Sequence, residues 1–109
     1  MSTGHRNSTL GRYGESVALR HLEAQGLTLI ARNWTCPSGE LDLVLRDGDV
    51  LVVCEVKTRT TTSFGHPLEA IDADKLARIR RLADLWVEAH GVRPAGIRID
   101  LVGVITGRR

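Results

Sequence analysis

Aromatic side chains make up only 4% of the 109 residues, and Tyr13, Trp34, Phe64 and Trp86 stand far apart. That spacing gives no stacking platform of the kind that single-stranded RNA binders display. Two cysteines, Cys36 and Cys54, form neither a CxxC motif nor a Cys/His cluster, so no disulfide framework is expected. They read as small apolar side chains of a reduced protein. The four histidines (His5, His21, His66 and His90) lack metal-ligand spacing, and no zinc site is expected. No apolar run approaches membrane-spanning length, and the opening "MSTGHRNST" has no apolar core of a signal peptide. A soluble, cytoplasmic protein with no membrane partner is the expectation. Net charge is only +2, which permits a nucleic-acid partner without demanding one.

What is present is an ordinary globular mixture, 42% apolar and 26% charged, enough for one small domain with its own core. The polar residues 1–8 and the closing 107–109 are expected to be flexible, leaving 9–106 as the single domain. Periodicity gives six elements in the order α-β-β-β-α-β. A helix over Thr9–Gln25 has Ser8 or Thr9 as cap and Gly26 as terminator. A strand over Leu27–Trp34 leads through a loop with Pro37, Ser38 and Gly39 to a second strand, Glu40–Arg46. The "DG" of "RDGD" predicts a tight turn, with Asp47 and Gly48 central, into a third strand over Val50–Lys57. A Thr-rich segment with Gly65 and Pro67 reads as a flexible loop. The second helix covers Asp72–His90 with the stripe Leu76, Ile79, Ala83 and Trp86, and the last strand is Ile97–Ile105. The fold class is α/β, a mixed sheet flanked by helices.

The stretch "LVVCEVKTRT" is apolar until Glu55 and Lys57, which point the same way because strand side chains alternate. With Asp47 and Gly48 central, Val44 faces Leu51, Asp42 faces Val53 and Glu40 faces Glu55. One face then carries Leu41, Leu43, Leu45, Val50, Val52, Cys54 and Val56 and should lie under a helix. The other carries Glu40, Asp42, Glu55 and Lys57 at its far end. Like charges directly across a sheet are destabilising, and a divalent cation removes the conflict. A solvated strand end screened by Lys57 accounts for the same pattern, and at this point both readings stand. Glu15 shares a helix face with Ala18, Leu19 and Leu22, where a carboxylate needs a partner. Arg12 or Lys57 would supply one; the other account is that Glu15 contributes to the acidic cluster on the sheet, as a ligand or through water.

The segments "GRYGESVALRHLEAQG", "GELDLVLRDGDVLVVCEVKTRT", "GHPLEAIDADKLARIRRLADLW" and "IRIDLVGV" together resemble the YraN-type family of small bacterial proteins. That family is assigned to the restriction-endonuclease-like fold and is similar to Holliday junction resolvases. The resemblance implies a nuclease signature: Asp42 in its first position, Glu55 and Lys57 as "E-V-K", and Glu15 as the helix-borne acid. The signature often has Pro before its Asp, where this chain has Leu41. It implies a Mg²⁺ or Mn²⁺ cofactor held by Asp42, Glu55, the Val56 carbonyl and Glu15, with Lys57 as catalytic cation. Thr58, Arg59, Lys75 and Arg78 are the expected nucleic-acid contacts, although a solvated basic face is the preferred account of the helix that carries Arg78, Arg80 and Arg81.

The function this implies is metal-dependent endonuclease hydrolysis of phosphodiester bonds in DNA, branched or structured DNA included. Two alternatives stand beside it. One is a nucleic-acid-binding module of the same fold without efficient catalysis. The other is a structural or partner-binding protein with an ion-pair cluster. A homodimer would suit a nuclease that cuts two strands, but the sequence shows no decisive interface.

Overall fold

The computed structural model describes residues 9–60, 68 and 71–107. The segments expected to be flexible at 1–8 and 108–109, and Phe64, Gly65 and Pro67 of the Thr-rich loop, lie outside the described residues. Six elements follow in the expected order: α1 (Thr9–Ala24), β1 (Thr28–Cys36), β2 (Gly39–Asp47), β3 (Val50–Arg59), α2 (Ala73–His90) and β4 (Gly96–Ile105). The strands form one mixed sheet in the order β1-β2-β3-β4. β1, β2 and β3 run antiparallel in succession, and β4 joins β3 in parallel after the α2 crossover.

Local chemistry sets the boundaries. Asp72 is the N-cap of α2 rather than its first residue, its carboxylate accepting from the Lys75 amide at 2.9 Å. Such a cap contributes about 1 kcal/mol. Gly91 closes the helix in the left-handed region at φ 62°, which favours glycine there. The expected loop after β1 is a tighter turn: Cys36 pairs with Gly39 across Pro37 and Ser38, extending both strands.

Two expectations about the hairpin are corrected. Asp47 pairs with Val50, so Gly48 and Asp49 are the turn residues instead of Asp47 and Gly48. Gly48 takes φ 62°, and the Asp49 carbonyl is occupied by the Ala95 amide at 2.8 Å, which ties the turn to the start of β4. The slip is two residues, so facing is preserved, but opposition is not. Val44 faces Val53 rather than Leu51, and Arg46 faces Leu51 rather than Asp49. Continuing that register sets Asp42 abreast of Glu55, and Glu40 no longer opposes it.

The second correction concerns Leu41. Leu43, Leu45, Val52 and Cys54 pack under α1 with Ala18 and Leu22, as a wholly apolar face should. Leu41 packs on the opposite face, with Val44, Leu51 and Val53 beneath Ile79, Leu82, Ala83 and Trp86 of α2. Leu41 and Leu43 therefore lie on different faces, and alternation breaks at Asp42. In the predicted stripe of α2, Leu76 is 37% exposed, and Leu82 takes a buried place instead.

Candidate functional site

The break at Asp42 has a counterpart across the ladder. β1 pairs Arg32 with Leu43 and Trp34 with Leu41, which leaves Asn33 opposite Asp42. Asn33 has φ 53°, and it is the only non-glycine residue with positive φ among the described residues. Asn tolerates this left-handed conformation better than most side chains. Ala31 and Trp34 pack toward α2 while Arg32 and Asn33 reach α1, so β1 changes face where β2 does.

The Asn33 amide nitrogen lies 3.2 Å from each carboxylate oxygen of Glu15, and Arg32 adds an ion pair at 3.4 Å. Glu15 is 4% exposed, and this clasp supplies the partners that a buried carboxylate requires. Among the described residues its side-chain partners are Arg32 and Asn33, where Arg12 or Lys57 was expected. Close packing brings α1 to this depth: a Cβ on Gly14 would overlap Oγ1 of Thr58 on β3.

β2 and β3 part at the same level. Their ladder ends at Leu43 and Cys54, while β2 stays paired with β1 to Gly39 and β3 with β4 to Arg59. In the gap the Asp42 side chain takes over from the backbone, with Oδ2 accepting the Val56 amide at 2.9 Å. Asp42 is 4% exposed. Burial, reinforced by the charge of Glu55 and opposed by the Val56 hydrogen bond, pushes its carboxyl up to about 7, with Glu15 and Glu40 adding to the rise. Burial likewise pushes up the Cys54 thiol on the neighbouring face, which makes it a packing residue rather than a nucleophile.

Beside Asp42 opens a cavity of about 450 Å³ that spans both helix layers. Glu15, Asp42, Glu55, Val56, Lys57, Thr58 and Lys75 all line it, so the sequence-derived acids and lysine are brought together. Among the described residues Lys57 makes no ion pair. Lys75 instead reaches Glu55, Nζ to Oε2 at 3.1 Å. An adjoining cavity of about 150 Å³ shares Asp42, Glu55 and Lys75 and adds Glu40 and Arg78. Arg59 borders neither cavity, and its Nε is buried without a partner among the described residues.

A hard divalent cation suits these donors. Asp42, Glu55 and the Val56 carbonyl offer oxygen only, and the charge repulsion on Asp42 is of the sign a cation cancels. Among the described residues no group of three His, Cys, Asp or Glu side chains is placed to hold one ion. Mg²⁺ commonly takes one or two carboxylates and fills its other positions with water and phosphate oxygen, so Asp42 and Glu55 are the side chains that would hold it here. Glu15, tied to Arg32 and Asn33, borders the site with its oxygens already engaged. Sequence reasoning missed Arg32 and Asn33. The available signal was an Asn in mid-strand, where that residue is depleted.

No helix of the described residues is long and apolar enough to cross a membrane. Over residues 14–104 the chain matches the model of "Uncharacterised protein family UPF0102". A UPF0102 protein of Nocardioides sp. is 60% identical over 100 residues, covering 92% of this chain and 81% of its own length. One from Streptomyces coelicolor is 55% identical over 102 residues, 92% of this chain and 78% of its own. One from Frankia alni is 57% identical over 93 residues, 85% of this chain and 78% of its own. The matched stretch contains the clasp on Glu15, the parted strands with Asp42, Glu55 and Lys57, and Lys75 on α2, and with a match of this breadth the chain belongs to the UPF0102 family, the YraN-type family its motifs resemble.

Proposed function

We propose that this protein is a metal-dependent endonuclease that hydrolyses phosphodiester bonds in DNA, including branched or structured DNA. The observation that carries the reading is the buried Asp42 carboxyl beside Glu55 where β2 and β3 part, open to a cavity that Lys57 also lines. A buried acid held against its neighbours' charge is a cost that folding alone does not require. Asp42 and Glu55, with the Val56 carbonyl, would hold the cation.

A bound Mg²⁺ or Mn²⁺ would supply Lewis-acid polarisation of the phosphoryl group and acidify a water. Lys57 is two residues beyond Glu55 on the same strand face, suited to orient the attacking water and offset charge developing at phosphorus. An ammonium does this without competing for the metal or repelling phosphate. Thr58 at the cavity wall and Arg78 at the adjoining cavity are suited to phosphate oxygens. Glu15 lies beside the acids, held in place by Arg32 and Asn33.

A second reading, a nucleic-acid-binding module without efficient turnover, is favoured by one observation: Lys75 already satisfies Glu55. One experiment separates the two. The purified chain is incubated with Mg²⁺ or Mn²⁺ and supercoiled plasmid, a fork or a four-way junction, alongside Glu55→Ala prepared identically. Metal-dependent cleavage that Glu55→Ala loses while remaining folded is the expected result. Equal cleavage by both preparations would indicate a contaminant and remove the assignment, and DNA binding without cleavage by either would leave the binding module.

A further inference from the structure

Lys75 occupies an unusual position for a lysine. It is the third residue of α2, within the first turn, where the helix dipole favours negative charge. Its backbone amide is fixed by the Asp72 cap, so the root of the side chain is set by the way the helix begins. From there the ammonium meets Glu55 at 3.1 Å, with the carboxylate side chain 13% exposed and the lysine side chain 31% exposed. Lys75 borders both cavities at the acid cluster, and Asp42 and Glu55 are the two other residues the cavities share. The ammonium thus stands on one of the two carboxylates assigned to the metal, while Lys57 makes no ion pair among the described residues.

We infer that Lys75 is a tethered counter-cation of the acid cluster, which a divalent ion must displace from Glu55 in order to load. The inference rests on the metal-site reading given above and adds a regulatory step to it. The ammonium and a doubly charged ion draw on the negative charge of the same carboxylate, so each finds Glu55 a weaker partner when the other is there. Their like charges also repel across the few ångströms of the cavity. Binding of the metal and closure of the Lys75–Glu55 pair are therefore coupled with opposite sign, and each weakens the other by the same factor. The pair raises the metal concentration needed to fill the site. In the absence of metal it spares Glu55 the cost of lying unpaired beside Asp42. The first turn of α2, which follows directly on the segment between β3 and that helix, thereby sets the ionic threshold of the site.

The consequence is a sign that a merely supporting lysine would not give: removing it strengthens metal binding. The full chain, stripped of divalent ions, is titrated with Mn²⁺ alone, by calorimetry and by the loss of the free-Mn²⁺ electron paramagnetic resonance signal. Lys75→Gln is expected to bind Mn²⁺ about three- to tenfold more tightly than the unsubstituted chain. Lys75→Arg keeps a cation and should stay within about twofold of it. Arg80→Gln removes the same charge from the same helix, where Arg80 pairs with Asp84 at 3.4 Å, and should leave the affinity unchanged. Thermal melts of each variant confirm that it is folded.

Unchanged or weaker Mn²⁺ binding by Lys75→Gln overturns the inference. Equal tightening in Arg80→Gln overturns it as well, because net charge would then be the cause. If the unsubstituted chain binds Mn²⁺ and Lys75→Gln gains nothing, only this inference fails. If none of the proteins binds Mn²⁺, the metal-site reading fails and this one with it.

Discussion

Between its exposed turn and the end of its ladder the β2–β3 hairpin is regular and dry. Val44 and Val53 pair beneath α2, Leu45 and Val52 pair beneath α1, and none of the four has measurable exposure. A few residues along the same strands the ladder stops, alternation fails at Asp42, opposite Asn33 of β1, and a buried carboxylate takes the place of an aliphatic side chain. The turn end gains stability from apolar area removed from water. The far end gives some of it back by holding Asp42 against burial and against Glu55, Glu15 and Glu40. Two ends of one hairpin thus divide the work: one fixes the register, and the other uses the fixed register to hold groups that would otherwise separate.

Substituting each end in turn tests that division. Asp42→Asn keeps an oxygen for the Val56 amide and removes the charge. Cleavage in the plasmid assay should fall by at least about a hundredfold. Stability should move the other way. The folded Asp42 pKa is raised from 3.8 to about 7, so between those values the native state holds a proton that the unfolded chain has released. Its contribution to stability is therefore complete below about pH 4 and is lost as pH rises toward about 7. In EDTA, chemical denaturation of the unsubstituted chain should show this decline, and Asp42→Asn should flatten it, gaining up to a few kcal/mol at pH 8. A variant that loses activity and stability together would show that the two ends are not separable.

Leu45→Ala probes the other end. Removing a fully buried leucine should cost about 2–5 kcal/mol in denaturant midpoints while leaving Mn²⁺ affinity of the folded fraction intact. Asn33 gives the smallest effect and the finest resolution. Asn33→Gly retains access to φ 53° but loses the amide on Glu15, whereas Asn33→Ala loses both. Ala should be the less stable of the two by about 1 kcal/mol, since left-handed backbone costs it strain. Equal stability would mean that the face change at Asp42 does not depend on the backbone of Asn33.

Much of this division was legible in the residues. Alternation in "LVLRDGDVLVV" exposed the dry half, and the spacing of Glu55 and Lys57 put them on one face whichever residues formed the turn, because a two-residue slip preserves parity. The glycines at 26 and 91 marked where the helices stop, whereas Asp72, read as the first residue of the second helix, is its cap. Opposition across the hairpin was not legible, since it depends on the Asp49 carbonyl being taken by Ala95, a contact from a distant part of the chain. The fate of Leu41 was hidden for a related reason: its change of face coincides with a left-handed residue on the neighbouring strand, which the pattern of β2 does not display. Lys75 was read as a contact for phosphate, and its pairing with Glu55 depends on how the start of α2 is set against β3.

Gly14 carries a further implication. With no room for even one carbon between α1 and Thr58, the depth at which Glu15 lies is governed by a residue that has no chemistry of its own. A single methyl at this position would force either the Thr58 side chain or α1 itself to shift, and a shift of α1 would carry the acid with it while every charged group remains in the sequence. Position 14 is thereby a silent partner to the carboxylates, a place where a protein could forfeit its chemistry while keeping the full set of acids and the lysine that its motif comprises.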